Sequence, residues 1–535
     1  MSLIKSGLAV ASGTAMSRIT GFIRDILVAK FLGASDAADI WVAAFRFPNM
    51  FRRIIAEGAF NAAFLPVYSE AIKKHGTQAG DSFAGRMLSR MSIIVGLGIL
   101  LCQLFMPYLV YLIAPGYSQP LTQWLGSIIY SFANGTALLP FPNLGYSEKI
   151  SLTITMTIIC LPYAGFMFLA AIQSAILNYH NKFMMAAMVA VILNMALILS
   201  LIGSAFFGYN PLIGMGWASF IAGLLQSIML YVILKKAGLD LSFKKPIKDH
   251  YHKKFFKLFI PGMISGGVTQ INLLTGSIIA SFTSGAMAYL YYADRIYQLP
   301  LSLIGVSLGI VLLPSLIKSY QNNALDDAKN LLARAMEFAA FSTFPAIFAL
   351  MIIPDNIVKI LFETGAFTAQ DTQATALILS IYGFGLPAFI GIKLFSPAYY
   401  ANHDTKTPMI YATWSIVINI ILSFALFPIM KFYAIPTASI IAGWFNVLAL
   451  SIGLYRQKML IFSPQTMLVI KKIILSCFIM SLFLGIFKYY LLTYFGTYQR
   501  IGMVLMIIFG MALYFVACYA TAIFPRSLIK TYLKK

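Results

Sequence analysis

The chain is 535 residues long, 60% hydrophobic and only 10% charged, with a mean hydropathy of +0.83. Soluble domains run at about 45–50% apolar and about 25% charged, so a secreted disulfide scaffold, a disordered chain and a soluble enzyme with one tail anchor are excluded. Yet Lys and Arg outnumber Asp and Glu by 39 to 17, a net charge of +22 that a bilayer core repels.

A helix crossing about 30 Å of hydrocarbon needs roughly 20 apolar residues. Only helices and closed barrels satisfy their backbone there, and the runs here are too long for barrel strands. Fourteen spans are predicted, near 7–32, 36–66, 92–115, 151–177, 184–206, 212–234, 258–282, 287–316, 335–353, 372–400, 408–428, 434–455, 467–492 and 498–525. The N-terminus does not read as a signal peptide, because the apolar core between Lys5 and Arg18 is too short. Cys102, Cys160, Cys477 and Cys518 sit in apolar runs without a CxxC pair and read as small buried hydrophobes. His75, His180, His250, His252 and His403 fall in polar connections without metal-ligand spacing, so no metal site is expected.

The basic residues set the orientation. With the N-terminus in the cytoplasm, 26 lie in cytoplasmic loops and ends, eight of them lysines between Lys235 and Lys257. Five are scattered on the opposite side: Lys149, Lys359, Lys431, Lys488 and Arg500. An even number of spans thus leaves both termini inside.

The two halves echo each other. Leu65-Pro66 matches Leu313-Pro314 at an offset of 248, Pro107 matches Pro354 at 247, and Gly116 matches Gly365 at 249. Leu161-Pro162 then matches Leu386-Pro387, and Asn194 matches Asn419, both at 225. The drop locates an insertion, and the polar stretch 131–149 fits as that extra outside loop. Partners separated by an even number of spans share orientation, which is the parallel kind of repeat. The expected architecture is therefore an all-α polytopic membrane protein with two six-helix lobes and two C-terminal helices. Its expected segments are an N-terminal lobe at 1–236, a basic linker at 237–257, a C-terminal lobe at 258–456, and the last two spans with a basic tail at 457–535.

Eight cations remain inside the spans. Spans one and two hold Arg18, Arg24, Lys30, Arg46, Arg52 and Arg53 against Asp25, Asp36, Asp39 and Glu57. The second half adds Asp294, Arg295 and Lys393, which leaves the set at +3. Each such charge costs about 2.5–3.5 kcal/mol at mid-depth, so these residues mark an aqueous pathway or a partner. Arg18 and Asp25, seven apart, share a helical face. Arg53 and Glu57 form an i,i+4 pair that reads equally as a structural tie and as part of a site, and Pro48 introduces a kink ahead of it. Asp36 and Asp39 follow Gly33 where acids favour a helix N-terminus, and Lys30 can snorkel. The predominance of arginine suits phosphate oxygens, and a diphosphate is the expected ligand. No Gly-rich phosphate loop follows a strand and no nucleophile–base pair is visible, so ATP hydrolysis and enzymatic catalysis are not expected.

The stretches Ser17–Asp25 (SRITGFIRD), Phe47–Pro66 (FPNMFRRIIAEGAFNAAFLP), Tyr291–Arg295 (YYADR), Gly309–Ser315 (GIVLLPS) and Asp404–Pro408 (DTKTP) resemble the MurJ (MviN) lipid II flippases. The resemblance runs from the first span through the eleventh. It implies a fold of the multidrug/oligosaccharidyl-lipid/polysaccharide exporter type in the bacterial cytoplasmic membrane. The implied activity is transfer of a prenyl-diphosphate-linked peptidoglycan precursor from the inner to the outer leaflet, by alternating access. On matching positions it implies substrate-binding roles for Arg18, Arg24, Arg52 and Arg295. It makes Asp25, Asp39 and Glu57 acidic cavity or gate residues, beside which Arg53, Asp294 and Lys393 complete the charged set. Spans thirteen and fourteen would offer a groove to the prenyl tail. Three residues past Arg295 stands Gln298, where some relatives carry an acid, and span seven offers Gln270 and Asn272 rather than an acid. Coupling stays open between the membrane potential and a monovalent cation. No cofactor is expected. The expected partners are lipid II, membrane lipids and, as a further open possibility, cell-wall synthesis proteins, but not nucleic acid. The alternative is another exporter of the same superfamily, for a lipid-linked oligosaccharide or for drugs or cations. A drug or cation antiporter should prefer acids in its cavity.

Overall fold

The structure is a computed structural model that describes residues 3–54, 60–118, 147–180, 182, 188–239, 241–245, 247, 249–322, 324–461, 463–495, 498–521 and 523. Among them the chain is helical, and no strand occurs. In order, the helices are α1 (Leu3–Leu32), α2 (Asp36–Phe51), α3 (Phe60–His75), α4 (Thr77–Leu104), α5 (Met106–Ile113), α6 (Glu148–Cys160), α7 (Pro162–Tyr179), α8 (Val189–Phe207) and α9 (Pro211–Lys236). They continue with α10 (His250–Ala280), α11 (Ala286–Gln321), α12 (Leu325–Ile352), α13 (Pro354–Phe362), α14 (Ala369–Ala401), α15 (Lys406–Met430), α16 (Ala434–Arg456), α17 (Pro464–Tyr494) and α18 (Gln499–Ala520).

Among the described residues nine segments are long and apolar enough to cross a bilayer, and one of them, Lys406–Arg456, holds both α15 and α16. Those segments account for ten of the fourteen expected crossings. The other four correspond to α1, to α2 with α3, to α10 and to α11. The outer faces agree with a bilayer. On α4, Leu97, Leu100, Leu101 and Leu104 are all exposed, as are Phe478 and Leu482 on α17, a display that in water would be an association surface.

Two expected spans differ in form. The run 36–66 is divided between α2 and α3, with 55–59 outside the described residues. Pro48 lies inside α2 and has no amide hydrogen to give the preceding turn, and the chain then widens into a π turn at 52–54. The run 92–115 starts earlier, at Thr77, and breaks at Phe105 before Pro107 opens α5. Of the polar stretch 131–149, only 147–149 is described.

The repeat appears as matched geometry. α4 and α12 are both 28 residues long, each breaks at a single residue (Phe105, Ile353), and each is followed by a short helix opening with Pro107 or Pro354. The Leu-Pro pair behaves differently in the two halves. Leu161-Pro162 divides α6 from α7, whereas Pro387 lies within the continuous α14.

The chain forms two compact units, one of Met1–Ala288 with Thr364–Phe367 and one of Tyr289–Glu363 with Thr368–Lys535. The compact division therefore falls within α11 rather than in the basic linker at 237–257, and α10 goes with the first unit. The cause is a column of rings. Phe60 and Phe64 on α3 stack at 5.1 Å, Phe60 meets Phe255 on α10 at 5.6 Å, and Phe255 stacks on Phe259 at 5.1 Å. Each such pair contributes about 0.5–1.5 kcal/mol beyond its buried area. In the second unit, α12 packs on the C-terminal pair through Ile473, Cys477, Met480, Met506 and Tyr514, and the Tyr514 hydroxyl donates to Phe341 O at 2.7 Å.

The side chain of His252, expected in a polar connection, is buried at the start of α10. Asp249 caps this helix, accepting from the His252 amide at 2.9 Å and lying 2.7 Å from its Nδ1, with Arg86 at 3.4 Å. Burial opposes the charge on Asp249, but the hydrogen bonds from His252 and the charges of His252 and Arg86 hold its carboxyl below the usual range. Cys160, Cys477 and Cys518 are buried as expected, while Cys102 is half-buried.

Candidate functional site

Three groups of charged residues lie in the first unit. The first is on α1. Arg24 donates from Nε (2.9 Å) and Nη2 (2.6 Å) to Oδ1 of Asp25 and from Nη1 to Oδ1 of Asn194 on α8 at 2.8 Å. Asn194 in turn donates to Ser17 O at 3.0 Å and to the Thr20 hydroxyl at 3.1 Å. Arg24 and Asp25 are largely buried, whereas Arg18 is exposed. Asp25 pairs with its neighbour Arg24 at 2.6 Å.

The second group lies around Pro48. Arg52 opens the π turn and donates from Nε (3.1 Å) and Nη2 (2.8 Å) to Oδ1 of Asn49, one turn back. Such wide turns occur often at functional positions. Arg53 follows, half-buried, in the same turn. Its expected partner Glu57 lies outside the described residues. Arg46, two residues before Pro48 on α2, donates from Nη1 to Leu273 O at 2.9 Å and to the Ser277 hydroxyl, both on α10.

The third group stands at the N-terminus of α2. Ser35 caps the helix by accepting from the Ala37 amide, and Asp36 and Asp39 occupy its first turn, as their place after Gly33 suggested. Asp39 is fully buried. It accepts from Gly285 N at 2.8 Å and Ala288 N at 3.1 Å, so that it caps α11 from another helix, and Lys149 at the start of α6 lies 3.1 Å away. Lys149 also reaches Asp36 at 2.6 Å and lies over the Tyr117 ring at 4.2 Å. Lys149 was legible only as one of five outward cations. Nothing in its local sequence announced that it would neutralise two acids more than a hundred residues away.

In the second unit, the Arg295 guanidinium lies 4.6 Å over the Tyr291 ring, an arrangement that binds a cation without neutralising it. Asp294 accepts from the Gln298 carboxamide. Lys393 is exposed on α14, and so is Lys30 on α1 of the first unit, consistent with a snorkelling role for Lys30. The outward cations are less scattered than expected. Lys359, Lys488 and Arg500 gather around α13: Lys359 lies 3.9 Å from Glu363, Lys488 lies 3.1 Å from Asp355, and Arg500 donates to Glu363 O at 3.1 Å. Unpaired helix carbonyls and acids attract them there. Among the described residues no group of three or more His, Cys, Asp or Glu could hold a metal.

The arrangement orients several guanidinium groups, the side chain whose planar fork matches anionic oxygens. Arg24 and Arg52 are each held by a neutral carboxamide, Asn194 or Asn49, and Arg24 also meets the Asp25 carboxylate. Arg295 is held by a ring. All three are placed before any ligand arrives, and pre-placement reduces the entropy lost on binding.

The profile of the family described as lipid II flippase MurJ matches residues 28–510. A relative from Rhizobium tropici, described as a "probable lipid II flippase MurJ", is 39% identical over 461 residues, covering 85% of this chain and 82% of its own. A relative of the same description from Rickettsia prowazekii (strain Madrid E) is 34% identical over 527 residues, covering 97% and 98%. Among solved structures, a lipid II flippase MurJ in an inward closed conformation is similar at a TM-score of 0.77 and 28% identity, covering 98% of this chain and all of that one. A multidrug resistance MATE family transporter of the MOP superfamily is similar at a TM-score of 0.65 and 13% identity over 84% of this chain. That likeness concerns the fold alone.

Proposed function

The chain belongs to the lipid II flippase MurJ family, and from that premise we propose how its own residues carry the substrate. It is a multi-pass membrane transporter that moves lipid II, a prenyl-diphosphate-linked precursor of the cell wall, between leaflets by alternating access. Arg18, Arg24, Arg52 and Arg295 serve the diphosphate and its sugar, Arg18 as the cation at the exposed face of α1. Asp25, Asp39, Arg53, Glu57, Asp294 and Lys393 set the charge and gating around them. The repeat lobes at 1–236 and 258–456 alternate access, and 457–535 offers the prenyl tail a groove.

What supports this reading most is the hold on Arg24. A guanidinium is buried within an apolar chain and oriented by a carboxylate and a carboxamide, and a charge kept at such a place marks a substrate pathway by default. The residual +3 inside the spans favours an anionic substrate over the cationic drugs of other exporters with this fold. The 26 basic residues on one side place both termini in the cytoplasm on this reading. Transport draws on the membrane potential or a monovalent cation rather than on ATP: moving a charge through 100 mV exchanges about 2.3 kcal/mol. With the interior negative, outward movement of the anionic headgroup is downhill.

Depleting the protein tests the proposal. Lipid-linked precursor should accumulate in the inner leaflet, where a probe added outside does not reach it. An unchanged distribution across the membrane refutes the reading.

A further inference from the structure

We propose that Asn194 is a positioning residue for the transport reaction: from α8 it sets the height and orientation of the Arg24 guanidinium without taking away its charge. The inference rests on the reading of Arg24 as a diphosphate ligand and adds to it a residue that touches no substrate.

Asn194 is 5% exposed, in an otherwise apolar helix. Its carboxamide orientation follows from chemistry alone. Arg24 can only donate, so it must face Oδ1; Ser17 O can only accept, so it must face Nδ2. The three contacts measure 2.8 Å to Arg24, 3.0 Å to Ser17 O and 3.1 Å to the Thr20 hydroxyl. Ser17, Thr20, Gly21 and Arg24 fall on one face of α1 by helical spacing, and Asn194 spans that face. Gly21 makes the approach possible, since a Cβ there would stand 3.3 Å from Nδ2 of Asn194. One side chain thus reads the α1 backbone and holds the arginine one turn further on.

The repeat separates the structural part of this role from the functional part. Asn419 occupies the equivalent position of the second half, is equally buried at 6%, and also clips two helices. It donates to the Ser439 hydroxyl at 3.0 Å and accepts from the Ser423 hydroxyl at 3.0 Å. Its contacts are hydroxyls; only the first-half asparagine has a cation to hold. An aspartate at 194 would keep the shape and the contact with Arg24. It would also add a second carboxylate beside Asp25, turn the neutral Arg24–Asp25 pair net negative, and set an acceptor against Ser17 O. A neutral acceptor is what an arginine intended for phosphate requires.

The test is a double-mutant cycle on the purified full chain, reading affinity for lipid II and thermal unfolding. Asn194→Ala should weaken lipid II binding by about tenfold, the scale of one charge-assisted hydrogen bond. In an Arg24→Ala background the same change should weaken it by less than about twofold, because there is no longer an arginine to position. Asn194→Asp should weaken binding as well and unfold below the wild-type temperature, because it sets an acceptor against Ser17 O. Asn194→Ser, small and neutral, should weaken binding like Asn194→Ala and decides the matter should Asn194→Ala fail to fold. Equal losses in both backgrounds, or wild-type binding by Asn194→Asp, overturn the proposal and leave the role of Arg24 standing. Wild-type binding by Arg24→Ala overturns the reading of Arg24 itself and the proposal with it.

Discussion

The amide of Gly116 donates to the Ser281 hydroxyl at 2.8 Å, and its bare Cα is so close that a Cβ would stand 2.4 Å from the Phe282 nitrogen. The other half repeats this clip with the roles exchanged. There a Cβ on Gly365 would stand 2.4 Å from Lys30 O, one on Gly33 would stand 2.4 Å from Ala366 O, and the Ala366 amide donates to Lys30 O at 2.8 Å. Gly116 corresponds to Gly365 at an offset of 249, and Ser281 to Gly33 at 248. The segment after the short helix of each half therefore lands at the end of the first helix of the other.

Gly365→Ala should accordingly be costly twice over, through the displaced backbone and through a φ of +62° that side chains rarely adopt. A loss of about 1–3 kcal/mol is expected, read as a lower unfolding temperature in detergent. Gly116→Ala should cost a comparable amount through crowding alone. A neutral Gly365→Ala contradicts the close approach.

Asp39 and Asp36 share Lys149 but differ in burial, and the difference predicts an order. Asp39→Ala leaves two amides and a lysine facing an empty site and should cost about 3 kcal/mol. Asp36, with a side chain 59% exposed, should cost less than about 1 kcal/mol when replaced. Equal losses in thermal unfolding would remove Asp39 as the centre of this cluster.

Arg24→Ala, Arg52→Ala and Arg295→Ala should each abolish lipid II flipping at unchanged protein abundance in the membrane. Arg24→Lys should restore little, since one ammonium cannot serve Asp25 and Asn194 through a planar fork. Flipping into the outer leaflet of reconstituted vesicles is the measurement, and full activity of Arg295→Ala would exclude a phosphate contact there.

Beyond the apolar part of α3, hydrogen bonds from Lys254 and Lys74 hold the Glu70 carboxyl down to about 2 from its usual 4.5. A depressed value means that the contribution is complete above about 4.5 and is lost as pH falls toward about 2. The unfolding temperature of the wild type should therefore drop more than that of Glu70→Gln between about pH 6 and pH 3. Parallel curves would show that this surface triad adds nothing to stability.

Collapsing the membrane potential in vesicles, at constant ion gradients, should slow transport if the potential supplies the work. An unchanged rate assigns the coupling to a cation instead.

Span count and the internal repeat were legible in the sequence because each rests on a local property: apolar length, or the spacing of Pro and Gly. The same locality identified the small charged remainder, since a bilayer makes every charge within it conspicuous. Where helices break was legible only in part. Pro48 announced a kink, but the π turn that follows it, and the break at Phe105, depend on how neighbouring turns pack.

Residue identity and chain position thus determined the family and which cations fall within the expected spans. Only the tertiary structure decided what holds them. Arg18 and Asp25 stand on one helical face by spacing, yet one is exposed and the other is buried against Arg24. Asn194 meets Arg24 across 170 residues, and Lys149 meets Asp39 across 110. A helix specifies the direction of its side chains but not the neighbour that its face will meet. That choice comes from packing many helices at once, and it placed a neutral amide on one buried charge and a lysine on another.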